Sequence, residues 1–201
     1  MINEKVTFQY KGSRNYVQGP DMFNMFLEQF SGNELTDIRF SVHGFVHQVS
    51  CLLYISKDKS DLDSVSDIKA RCQVKVDGEV QYLGLSPMSD PPELEPGRYA
   101  YDENSLLQYC QVLDDRIILN GQSPFSFIET IVAMKKRLME SLFPEVEGKW
   151  VFTRIDLPIS CDANTSLTIV FKHNMNFRIL KSDILVDGEK VGDLYFSLVK
   201  S

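Results

Sequence analysis

The chain is poor in the residues that build metal and redox centres. It has three histidines, four cysteines and one tryptophan among 201 residues. Cys51, Cys72, Cys110 and Cys161 form no CxxC pair, and none stands near a histidine at zinc-ligand spacing. They read as free thiols in a reducing compartment, and neither a metal nor any other cofactor is expected. No phosphate-binding glycine loop, GxSxG elbow or HExxH helix is present. Positive charge is short as well. Lys and Arg total 21 against 28 Asp and Glu, a net charge of −7, which excludes nucleic acid as an expected partner. The one dense basic run, Lys135-Lys136-Arg137, lies in an amphipathic helix and is expected on its solvated face. The longest stretch without a charged residue, 40–56, contains His43, Gly44, His47 and Gln48, so no membrane span is expected. The opening Met-Ile-Asn-Glu-Lys has no apolar signal core, which makes the cytoplasm the expected location. The sequon Asn164-Thr165-Ser166 is then expected to be a chance match.

What is present suits a globular chain. Apolar residues make up 43% and charged residues 24%, enough for a core without staples at this length. Residues 5–10 alternate like a strand. Gly19-Pro20-Asp21 reads as a helix start, with Pro at the first helical position and an acid in the first turn. Phe23, Phe26, Leu27 and Phe30 follow on one stripe, and Gly32-Asn33 closes it. Residues 38–55 read as one long strand whose apolar parity switches at Gly44, as at a bulge. Residues 57–67 read as an exposed loop, and 70–85 as a hairpin turning at Asp77-Gly78. Prolines and acids give 86–104 a linker composition. Beyond it come a strand at 116–119 and a helix of about 20 residues opened by Ser123-Pro124. Strands at 149–159 and 167–172 follow, then a second hairpin turning at Asp187-Gly188.

The halves repeat one another. Gln18-Gly19-Pro20-x-x-Phe23-x-x-x-Leu27 faces Gln122-Ser123-Pro124-x-x-Phe127-x-x-x-Ile131, 104 residues later. Val76-Asp77-Gly78-Glu79 faces Val186-Asp187-Gly188-Glu189, 110 residues later. The order of strand, apolar helix, antiparallel strands and "VDGE" hairpin resembles the hotdog superfamily, most closely over 184–198. Two such units in one chain resemble a double hotdog. The resemblance implies an α+β fold in which each of two units has a long central helix wrapped by an antiparallel sheet. The expected units are 1–88 and 105–201, joined by a linker at 89–104.

Hotdog proteins mostly process acyl thioesters of coenzyme A or acyl carrier protein, as thioesterases or hydroxyacyl dehydratases. The resemblance places the thioester carbonyl at the start of a central helix, where backbone N–H groups polarise it. A carboxylate there activates water, which points to Asp21, with Glu28 and Glu129 further along their helices. Gln18 and Gln122 match a water-holding glutamine, and Gly19 and Ser123 lie at the substrate end. Neither helix start carries the histidine that dehydratases place there. His43 and His47, about 13 Å apart along one strand face, are the remaining substrate-side candidates. The chain is expected as a monomer or homodimer. An acidic carrier protein would meet like charge. The alternatives are a catalytically silent hotdog binding module and an unrelated α+β interaction protein.

Overall fold

A computed structural model describes residues 1–91, 96–161 and 166–200. Asn164 and Thr165 of the sequon, and 92–95 of the linker-like stretch, lie outside the described residues. The chain divides into two compact units, Met1–Tyr101 and Asp102–Ser201.

The first unit contains β1 (Ile2–Thr7), β2 (Tyr10–Lys11), α1 (Gly19–Glu28), β3 (Leu35–Val42), β4 (Ser50–Ser56), α2 (Lys59–Asp63), β5 (Ala70–Val76), β6 (Glu79–Pro87) and β7 (Arg98–Tyr99). Its antiparallel sheet runs β1-β4-β6-β5-β3. Alternation drives one face of each strand inward: Ile38 and Phe40 on β3, Cys72 and Val74 on β5, Leu83 and Leu85 on β6. The α1 stripe covers them. Phe23 and Phe26 set their rings edge-on to Phe40, at centroid separations of 5.4 and 5.7 Å. Residues 38–55 are not one strand. The chain leaves the sheet after Val42 and passes α1, where Val17 N donates to Val46 O at 2.8 Å, before re-entering as β4. The parity switch at Gly44 therefore marks a connection between two strands that are not neighbours. Residues 57–67 carry the short α2. Asp58 caps it by accepting from Ser60 N at 2.9 Å, and Leu62 is buried beneath it.

The second unit contains α3 (Asn104–Leu107), β8 (Cys110–Leu113), β9 (Arg116–Leu119), α4 (Phe127–Leu142), β10 (Lys149–Ile159), β11 (Leu167–Met175), β12 (Ile179–Val186) and β13 (Glu189–Val199). Its antiparallel sheet runs β8-β9-β11-β12-β13-β10. Ile131, Met134 and Leu138 of α4 are buried, as are Ile117, Ile155, Ile169, Ile184 and Phe196 of the strands. The helix starts later than Pro124 suggests. Ser126 is the N-cap and Ser123-Pro124 belongs to the approach, because Ser126 and Glu129 satisfy each other reciprocally.

The two Asp-Gly hairpins share local chemistry. Asp77 and Asp187 take φ of 49° and 50°, and the glycines after them 84° and 85°. Positive φ at both central residues gives the twist a two-residue hairpin needs. Each aspartate also ties its turn to a preceding segment: Asp77 N to Glu34 O and Asp187 N to Ser166 O, both 2.9 Å. The surroundings differ. In the first unit the leading hairpin strand, β5, lies beside β3, the first strand after the helix. In the second, the leading strand β12 lies beside β11, the second strand after the helix. The repeat is local and does not extend to strand order.

Lys135 departs from the sequence reading. Its side chain is fully buried, whereas Lys136 is half-buried and Arg137 exposed. Four residues after Ile131 and three before Leu138, it falls on the inward stripe.

One close approach gives a direct test of the packing. A Cβ at Gly192 of β13 would stand 2.5 Å from the Asp156 carbonyl oxygen and 2.7 Å from Leu157 Cδ2. Main chain cannot swing aside as a flexible side chain does, so Gly192→Ala is expected to cost about 1–3 kcal/mol. Thermal or denaturant unfolding measures it, and an unchanged midpoint would refute the packing described.

Candidate active site

The start of α1 gathers more polar groups than any other helix end described. Gln18 is the N-cap in extended conformation and its side chain caps nothing. Its side-chain oxygen instead accepts from Arg14 Nε (2.8 Å) and Nη1 (2.9 Å). Pro20 brings no N–H, and Asp21 N and Met22 N both donate to Gln18 O, at 3.0 and 3.2 Å. Gly19 is left at the helix mouth, where the positive end of the dipole lies.

Asp21 sits in this first turn and is largely covered. Its Oδ1 lies 2.5 Å from Lys11 Nζ and accepts from the Tyr99 hydroxyl at 3.2 Å. The Lys11 side chain has no exposed surface. Its ammonium lies 5.0 Å from the Tyr101 ring centre and 5.6 Å from that of Tyr99. Both faces offer a cation the negative side of a π system. Arg14 lies over Tyr101 as well, at 5.6 Å. A lysine and a carboxylate side by side at a helix mouth form a pair that can hold and exchange a proton.

The same end of the unit holds His47. Its Nδ1 is 3.3 Å from Asn15 O, and its ring lies near Tyr16 at a centroid distance of 6.4 Å. Tyr10 donates to His47 O at 2.5 Å. The connection between β3 and β4 thus brings His47 against the loop that enters α1. His43 is not brought there. Its ring Nε2 lies 3.1 Å from Ser41 Oγ, its main-chain N–H donates to Lys69 O, and desolvation together with Arg71 holds its pKa below the ordinary value. Glu28 is exposed on the last turn of α1, about 13 Å along the axis from Gly19.

The α4 start is occupied differently. Glu129 Oε2 accepts from Ser126 N (3.0 Å) and Ser126 Oγ (2.6 Å), while Ser126 Oγ accepts from Glu129 N (3.4 Å). Ser123 Oγ and the buried Thr130 Oγ1 share a hydrogen bond of 2.5 Å, and Ser123 also accepts from Phe125 N. Gln122 is exposed in the approach loop. Of the nine sequence candidates, the structure brings Gln18, Gly19, Asp21 and His47 to one helix start. Glu129 and Ser123 are engaged in holding the other.

Lys11, Tyr99 and Tyr101 were not legible as site residues. Lys11 stands in a plain Tyr-Lys-Gly turn, and the only signal was a pair of tyrosines in an otherwise acid- and proline-rich stretch. Burial takes the Cys51, Cys72 and Cys110 thiols out of play as nucleophiles near neutrality. Burial pushes Cys51 up to about 12 and Cys110 up to about 11.

No protein-family model matches the chain, and no curated protein matches it. Solved structures do. A candidate thioesterase II from Thermobifida fusca YX aligns over 98% of this chain and 92% of its own, with a TM-score of 0.54 and 10% identity. The dehydratase domain of PpsC from Mycobacterium tuberculosis, solved in complex with C12:1-CoA, aligns over 92% and 85%, at 0.52 and 7%. A pyran synthase domain from module nine of the sorangicin pathway aligns over 99% and 93%, at 0.52 and 11%. The chain has the hotdog fold: a mostly antiparallel sheet with few helices.

The second buried lysine yields a prediction about pH. Lys135 Nζ donates to Ser182 Oγ and, at 3.3 Å, to Leu180 O, with the Phe171 and Phe196 rings 5.5 and 5.9 Å away. No carboxylate pairs with it among the described residues, and burial lowers its pKa to about 7. The folded value lies below the unfolded one. The penalty on the fold is therefore full below about 7 and fades as pH rises from there toward the ordinary lysine value. The wild-type chain is expected to gain stability between pH 6 and 9 relative to Lys135→Met. Parallel thermal unfolding of the two chains at those pH values checks it, and identical pH profiles would refute it.

Proposed function

We propose that the chain is a double hotdog that processes acyl thioesters of coenzyme A or an acyl carrier protein, with thioesterase-like chemistry at the start of α1. The observation that carries this reading is Asp21. It is a carboxylate in the first turn of a central helix, beside Lys11, with the N-cap Gln18 and the helix mouth at Gly19 next to it. The hotdog fold supports the substrate class, and the thioesterase and dehydratase neighbours belong to that fold.

In this reading the thioester carbonyl lodges at the helix mouth, polarised by the Gly19 N–H and the α1 dipole. Gln18, its oxygen held by Arg14, orients a water by donating through its amide N–H. Asp21 takes a proton from that water as its oxygen bonds to the carbonyl carbon. The C–S bond then breaks, the sulfur leaves with the proton as a thiol, and the acid is released. Lys11 holds the Asp21 carboxylate in place from one turnover to the next. The net charge of −7 does not favour an acidic carrier protein.

A dehydratase-like reading is favoured by one observation, the placement of His47 against Asn15 and Tyr16. It supplies at the helix approach the residue type missing from the helix start itself. Water loss from 3-hydroxyacyl-coenzyme A, abolished by His47→Ala, would mark this chemistry.

The test is a panel of acyl-coenzyme A substrates followed by release of free thiol. Turnover is expected, and Asp21→Asn is expected to lower kcat/KM by about 100-fold or more. That change leaves the Lys11 charge buried without its carboxylate, so Lys11→Met/Asp21→Asn, which keeps the interior neutral, separates lost chemistry from lost fold. Turnover that persists in both variants, or is absent from the wild-type chain on every substrate, would overturn the assignment.

A further inference from the structure

The segment that hides Lys11 is held in an unusual way. Residues 97–100 are exposed and Tyr101 is half-buried, so this strap buries little apolar surface of its own. It is tied down by polar contacts. Tyr10 N donates to Gly97 O and Gly12 N to Tyr99 O, both at 2.9 Å, in a parallel bridge between β2 and β7 only two residues long. The Arg98 guanidinium donates to Gly12 O and, at 2.8 Å, to Arg14 O, and lies 5.4 Å from the Tyr10 ring centre. The Tyr99 hydroxyl donates to Asp21.

Beneath these ties lies a charge with no exposed surface. Lys11 is shut in by the Tyr99 and Tyr101 rings, which are 37% exposed and half-buried respectively. Lifting the strap breaks a few surface hydrogen bonds, each worth about 1 kcal/mol because water replaces it. It also returns an ammonium to water, which offsets part of that loss. Segments with few buried apolar contacts and solvent-facing backbone hydrogen bonds open far below the cost of global unfolding. Lys135 is the opposite case. It is buried between α4 and the sheet of its unit and is reached only when that core opens.

We propose that residues 97–101 form a strap that lifts separately from β2 and α1, uncovering Lys11 and Asp21 to an acyl thioester. The identity of the ligand rests on the thioester reading above; the motion does not. With the strap down, the Tyr99 hydroxyl occupies a hydrogen-bonding position on Asp21 that a water or ligand hydroxyl takes once it is up. The strap is thus a cover that competes with the substrate, and Arg98 is its clasp, touching neither Lys11 nor Asp21 in any contact described.

Lysine acylation by N-hydroxysuccinimidyl acetate, read by peptide mass spectrometry on the whole chain, tests the motion. Lys11 is expected to react at least ~10-fold faster than Lys135, since local opening outpaces core opening. Arg98→Ala is expected to speed Lys11 several-fold and leave Lys135 unchanged. Equal rates at the two lysines, or no response of Lys11 to Arg98→Ala, would overturn the strap. A thioether analogue of an acyl-coenzyme A, which cannot be hydrolysed, tests the ligand. Altered Lys11 labelling at saturating analogue supports the proposal, and unaltered labelling in both chains refutes the substrate-competing role. Thiol release from the acyl-coenzyme A panel is scored separately, so a failure of the thioester assignment is distinguishable from a failure of the motion.

Discussion

Burial of one helix face against an antiparallel sheet is the constraint on which each unit depends. In the first unit it is concentrated in aromatic contact: Phe23 and Phe26 close on Phe40. In the second it is spread along a longer helix, with Ile131, Met134 and Leu138 meeting the inward residues of the sheet. Once that face is buried, the start of each helix is fixed relative to its own sheet. The orphan N–H groups there must then be answered by side chains, by main chain or by a ligand. The second unit answers with Ser126 and Glu129. The first leaves its N-cap side chain to Arg14 and places a lysine–aspartate pair beside the opening. The two helix starts are thus satisfied by different means, one by a reciprocal cap and the other by an arginine and a buried ion pair.

The two buried lysines show what determines whether an interior charge survives. Lys11 has Asp21 within 2.5 Å and two tyrosine faces, so its ammonium is compensated. Lys135 has only a hydroxyl, a carbonyl and two phenylalanine rings, and burial brings its pKa down to about 7. A neutral amine is a tolerable hydrogen-bonding group in a core, whereas an uncompensated ammonium is not.

Local chemistry was legible in the sequence wherever one residue type alone satisfies a backbone demand. Both Asp-Gly hairpins were legible because positive φ at two successive positions suits that pair, and the α1 start because Pro fits the first turn of a helix, where Pro20 stands second after the N-cap Gln18. Non-local arrangement was not. The parity switch at Gly44 suggested a bulge, because periodicity cannot distinguish a kinked strand from two strands linked by a crossing. Lys135 was assigned to solvent by its basic neighbours, although its spacing from Ile131 and Leu138 places it inward. Asp21 and Gln18 were legible as a helix start, but Lys11 and Tyr99 meet them only through the pairing of β2 with β7.

The different placement of the two hairpins also bears on how the chain reaches its native state. In the second unit β11, β12 and β13 are both consecutive in the chain and adjacent in the sheet, so each pairing forms as the next strand arrives. The first unit has only β5 and β6 in that relation; β3 must wait for β5, and β4 for β6, across intervening segments. Such ladders close long loops before any contact rewards the lost entropy, which slows assembly. The second unit carries such ladders too, Lys149 with Val199 and Ile118 with Thr168, so in each unit the local hairpin forms ahead of the pairings that complete the sheet, and the strand edges it leaves stay open to mispairing until then.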